Sequence, residues 1–162
     1  MDNLRAALAW SRDQGDAEPL ASMVTTLMWF WAWPGRVREL QMWLEAAADQ
    51  AGDLSPRLRA RVRNWQCLIA VVVPGSASLG QVPALASEAL ALARASGDKY
   101  EEAVALFTHG FLAGVVGGAE AMRPYLEEAR LLARSARSAG LGHIEALVWC
   151  AESSSRVAAI CA

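Results

Sequence analysis

Apolar residues recur along this chain at the three- and four-residue steps of a helix, and strand-type alternation is hard to find. A first helix is predicted from Asp2 to about Gln14, with Leu4, Ala7, Leu8 and Ser11 on one face. Gly15-Asp16 ends it, and Asp16 is placed to cap the next helix, with Pro19 tolerated in the first turn. Leu20, Met23, Val24, Leu27 and Trp31 form the next stripe, and Met28, Trp29 and Trp33 add apolar surface off it. After Pro34-Gly35 come helices at about 37–50 (Val37, Leu40, Leu44 and Ala47 inward) and 56–73 (Leu58, Val62, Trp65, Ile69 and Val72). Ser55-Pro56 is the start signal of the second of these. Further helices are predicted at 81–95 (Leu85, Ala89, Leu92), 99–116 (Ala103, Val104, Phe107, Phe111, Val115) and 119–138 (Met122, Leu126, Ala129, Ala133). A last helix, at 142–160, carries Ile144, Leu147, Val148 and Ala151. The expectation is an all-α fold of about eight helices.

The helices recur as a unit. Tight turns at Trp33-Pro34-Gly35, Val73-Pro74-Gly75 and Val116-Gly117-Gly118 stand about 40 residues apart. A Glu-Ala pair follows each turn: Glu45-Ala46, Glu88-Ala89 and Glu128-Ala129. The unit is therefore an inner helix, a turn and an outer helix, with a short insertion (76–80) in the middle copy. One helix pair cannot bury both its faces, so neighbouring pairs are expected to stack. This divides 1–162 into a capping helix (1–15), three helix-pair repeats (16–52, 55–96 and 98–139) and an unpaired last helix (142–160).

The third unit resembles a tetratricopeptide repeat. Leu106, Gly110, Gly117, Leu126 and Ala129 stand where that motif puts its large residue, two glycines, aromatic and small residue; His109 and Ala113 replace its leucine and tyrosine. The opening resembles something narrower. The stretch 2–10 (DNLRAALAW), then Gly15 to Glu18, the Trp29-Phe30-Trp31 run and Trp43-Leu44-Glu45 are similar to the start of one repeat region in large bacterial regulators. These are the LuxR-type, SARP-type and cyclase-linked signalling ATPases common in actinobacteria, where the repeats follow nucleotide-binding and winged-helix segments. In that family the ATPase is a switch, a separate domain binds DNA, and the repeats sense or dock. No phosphate-binding Gly-Lys-Ser/Thr loop and no recognition helix is legible here, so the resemblance implies the repeat domain alone.

Composition narrows the picture further. Hydrophobic residues make up 54 % and charged ones 20 %, which suits a packed domain and excludes disorder. A net charge of −2 gives no general pull towards nucleic acid. The apolar run from Leu20 to Trp33 is shorter than the roughly 20 residues of a membrane span. Cys67, Cys150 and Cys161 are odd in number and lack a Cys-x-x-Cys pair, which fits buried thiols in a reducing cytoplasm. His109 and His143 have no ligand partners at metal-binding spacing. Ser153-Ser154-Ser155 has no nucleophile context. Arg57, Arg59, Arg61 and Arg63 scatter around a helix, and are expected to pair with carboxylates of the neighbouring outer helices. Glu101-Glu102 and Glu127-Glu128 diverge by about 100° each, so neither pair converges on a substrate.

These features predict a non-catalytic module of a cytoplasmic regulator, with no cofactor, metal, membrane or direct nucleic-acid contact. Its partner would be another protein or other domains of the same regulator. The groove residues expected from helix phase are Thr25, Trp29, Trp33, Asn64, Thr108 and His109. A small-molecule effector site among the tryptophans, or a homodimer through the last helix, are the other readings.

Overall fold

The computed structural model describes residues 2–27, 31, 36–72 and 80–135. Among these, every regular element is a helix and no strand occurs. The α-helices are α1 (Asp2–Gln14), α2 (Ala17–Thr26), α3 (Val37–Asp49), α4 (Pro56–Val72), α5 (Val82–Ser96) and α6 (Lys99–Ser135). A 3-10 turn, Ala51–Asp53, links α3 to α4. The predicted last helix at 142–160, the turns at 34–35 and 74–75, and Trp29, Trp33, His143, Cys150, Cys161 and Ser153 to Ser155 lie outside the described residues.

Helices adjacent in sequence pack against each other, and so do α2 with α4 and α4 with α6. Side-chain pairs give the directions. Arg5 reaches Glu39 and Gln50 reaches the Arg12 carbonyl, so α1 and α3 run the same way. Arg57 reaches Asp98 and Arg61 reaches Glu101, so α4 and the start of α6 are parallel too. Alternate helices thus form two rows, with α2, α4 and α6 in one and α1, α3 and α5 in the other.

The stripe read from 20 to 31 is the heart of the first core. Leu20, Ala21, Val24 and Trp31 are fully buried with Leu8, Leu40, Leu44 and Ala47. Leu54, just after the 3-10 turn, joins the same cluster. Helix α4 departs from the single predicted face. No residue from Leu58 to Ala70 is exposed, because α3, α5, α2 and α6 all pack on it. Its second face is made of Ala60, Cys67 and Ala70, which meet the Val82-Ala86 and Ala93 side of α5.

In α5 the buried register is Val82, Ala86, Ala89 and Ala93, not Leu85 and Leu92, which are half-buried. The alanines win the interface because small side chains on both helices let the backbones approach closely. Two further expectations fail. Asp16 precedes α2 without a side-chain cap bond. Val115 points out and is 67 % exposed. The capping aspartate is instead Asp98, whose Oδ1 accepts hydrogen bonds from the amides of Tyr100 and Glu101 at 2.9 and 3.2 Å. Helix α6 is continuous except at Gly118 (φ 75°, ψ −172°), where it folds back into two arms.

Candidate functional site

The four described members of the predicted groove set do not line one open surface. Trp29 and Trp33 are not described. Thr25 is buried and its hydroxyl donates to the Ala21 carbonyl at 2.8 Å. Thr108 is buried likewise, donating to Val104 at 3.0 Å. Both satisfy their polar group one helical turn back, which is how a hydroxyl tolerates a helix core. Asn64 is fully buried, and its Nδ2 donates to the Glu101 carbonyl at 3.3 Å. Asn64 ties α4 to α6, and all three residues are buried and line no open surface.

His109 is half-buried and stacks on Tyr125 across the α6 fold, with centroids 5.4 Å apart and planes at 17°. Its Nε2 is buried without a hydrogen-bond partner. Burial chiefly lowers its pKa, the nearby Arg94 adds to this, and a hydrogen bond to the Ala86 backbone opposes both. Burial therefore favours the neutral imidazole.

Around Asn64 lies a charged seam between α4, α5 and α6. Arg61 Nε donates to Glu101 Oε1 at 2.6 Å, with Glu101 1 % exposed. Burial raises the Glu101 pKa, and the Arg61 guanidinium opposes the rise. Glu102 turns the other way, to Arg94 at 3.3 Å and Lys99 at 2.9 Å. Arg94 also reaches Glu128 at 2.9 Å on the second arm of α6. The expected pairing of the α4 arginines holds with a change of partner. Arg63 finds Glu88 on the outer row, whereas Arg57 and Arg61 find Asp98 and Glu101 at the head of α6. Arg59 serves the chain carbonyls of Gly52 and Leu54 instead.

Chemistry open to a partner gathers elsewhere, in a cleft of about 140 Å³ between α3 and α5 with α4 as its floor. Leu44, Ile69, Ala70 and Leu85 supply apolar walls. Gln41, Glu45, Arg63, Gln66 and Gln81 supply the polar groups. Gln41 donates to Glu45 at 3.0 Å, and Arg63 Nη1 donates to Gln66 at 2.9 Å. Arg63 Nε lies 3.1 Å from Glu88 Oε2, a charge contact without an aligned hydrogen bond. Three side-chain amides beside an arginine offer paired donors and acceptors, the complement of a peptide backbone. Helix phase alone could not find this set, because each glutamine sits on a different element and no local motif joins them.

Two other groups can be placed. Burial pushes the Cys67 thiol up to about 12, which leaves it without thiolate character at neutral pH. Among the described residues, no group of three His, Cys, Asp or Glu side chains could hold a metal ion. No described helix is long and apolar enough to cross a membrane.

Comparison with known proteins adds a context. The chain is 31 % identical over 140 residues to proteins of Mycobacterium tuberculosis and Mycobacterium bovis to which an HTH-type transcriptional-regulator function is ascribed. The match takes in 83 % of this chain and 16 % of each relative, so the chain spans about a sixth of their length. No protein-family model and no solved structure matches it.

Proposed function

We propose that this chain is the non-catalytic, tetratricopeptide-like repeat segment of an HTH-type transcriptional regulator, and that it docks a protein partner or another domain of the same regulator. The similarity to about a sixth of the length of such regulators carries the reading. The alternation of parallel rows, with α2, α4 and α6 touching in turn, supports stacked helix pairs over a closed bundle. The engagement of Arg5, Arg57, Arg61, Arg63 and Arg94 with carboxylates supports a role away from nucleic acid, since those cations are already spent within the fold. A regulator acting on DNA would work in the cytoplasm.

The docking surface under this reading is the cleft of Gln41, Gln66 and Gln81. Its volume supports a peptide side chain over a drug-sized effector. A drug-sized effector fills roughly 300–1,000 Å³, and about 140 Å³ suits one side chain of a peptide with its flanking amides. The test is the triple substitution Gln41→Ala, Gln66→Ala, Gln81→Ala in the intact regulator. Promoter binding is expected to persist while the transcriptional response to the regulator's input falls several-fold. A response equal to that of the parent protein would sink the docking surface.

A further inference from the structure

The fold of α6 depends on one residue. Every other residue from Lys99 to Ser135 is helical, and Gly118 alone stands at φ 75°, ψ −172°. That combination is essentially reserved for glycine. The corner brings the two arms together face to face. His109 and Gly110 lie against Tyr125, and Gly114 lies against Met122, so the pairs close up around the corner at Gly118. A Cβ on Gly110 would stand 3.0 Å from that of Tyr125. Val104, Leu106 and Phe107 of the first arm share one core with Met122, Leu126 and Ala129 of the second.

We infer that Gly118 is a hinge through which two copies of the chain exchange the second arm of α6, residues 119–135. With Gly118 helical, α6 becomes one straight rod, and its second arm extends about 25 Å beyond the corner. Leu126 and Ala129, now buried, would then lack their partners. A second copy supplies the same first-arm face, so each second arm packs on the other copy's first arm. Every contact of the hairpin is remade between chains, and only the corner changes. The exchange is reciprocal and closes with two-fold symmetry, so it ends at a dimer. The inference stands independently of the regulatory reading.

Gly118→Ala tests it, because alanine cannot hold the corner and favours the helix. At equal concentration the variant is expected to shift at least tenfold towards dimer by light scattering, with helix content retained. A folded, monomeric Gly118→Ala protein would overturn the exchange. A Gly110→Cys, Tyr125→Cys pair, in a Cys150→Ser, Cys161→Ser background, identifies which chains touch. Oxidised dimer should carry the bond between chains, and a dimer bonded only within chains would refute it. Should Gly118→Ala fail to fold, the cysteine pair with Gly118 intact decides. Between-chain bonding that rises with protein concentration supports exchange, and within-chain bonding at every concentration overturns it.

Discussion

The two ends of the molecule reach burial by opposite means. From α1 to the 3-10 turn the core is bulky: Leu8, Leu20, Val24, Trp31, Leu40, Trp43 and Leu44 interlock, and the charged pair Arg5–Glu39 stays at the rim. Beside the apolar core between the two arms of α6, many contacts among α4, α5 and the start of α6 are small or polar. Ala60, Ala70, Ala86, Ala89, Ala93, Ala103 and Ala105 bring helices close, and Asn64, Glu101 and Thr108 are sealed between them. Close approach excludes water from whatever polar group the interface contains. The second region must therefore satisfy its charges internally, whereas the first can leave them to solvent. Specific pairing, rather than apolar volume, fixes how α4 meets α6.

The largest effect should come from breaking that pairing. Arg61→Ala leaves the Glu101 carboxylate buried without its guanidinium. Removing one partner of a buried pair costs about 3–5 kcal/mol, a large part of the stability of a domain this size. The denaturant midpoint of Arg61→Ala should fall accordingly, whereas Arg5→Ala should leave it nearly unmoved. Equal losses in the two variants would erase the distinction between the regions.

Opposite size changes sharpen the same contrast. Leu20→Ala opens a cavity in the bulky core and should cost about 2–5 kcal/mol. Ala89→Leu forces a larger side chain into a close helix contact and should cost about 1–3 kcal/mol. Urea unfolding of both variants checks the order. A tolerated Ala89→Leu would mean that α5 has room to move away from the helices packed on it.

The same contrast explains what could be read from the sequence. Bulky stripes announce themselves: Leu20, Val24 and Trp31, and Leu40, Leu44 and Ala47, are buried as their spacing predicts. Alanine stripes do not, because alanine is equally common on open helix faces. The leucines at 85 and 92 therefore drew the α5 register one position away from Ala86 and Ala93. Three of the expected groove residues lie inside the fold for a related reason. Asn64, Thr25 and Thr108 look like surface positions by type, yet each has a backbone carbonyl within reach that makes burial tolerable. The cleft glutamines become neighbours only through the packing of three helices, a long-range fact that local periodicity does not carry. The Glu101-Glu102 divergence was legible, since it follows from the helix angle alone, and the two carboxylates do reach different partners.

Acid titration gives the smallest effect and the most direct one on sign. Glu39 has a lowered pKa, first through its hydrogen bond from Arg5. Its contribution to stability is present above the ordinary glutamate value of 4.5 and is lost as pH falls through the folded value below it. Glu101 has a raised pKa, first through burial. Protonation then favours the folded state, so its contribution grows as pH falls through the folded value and is complete below about 4.5. The two groups pull the pH profile in opposite directions. Between pH 7 and 4, Glu39→Gln should lose less melting temperature on acidification than the parent chain. Glu101→Gln should lose more, because the compensating gain is gone. Thermal unfolding at closely spaced pH values reads both slopes, and slopes that change in the same direction would show that α4 and α6 leave Glu101 as wet as the rim leaves Glu39.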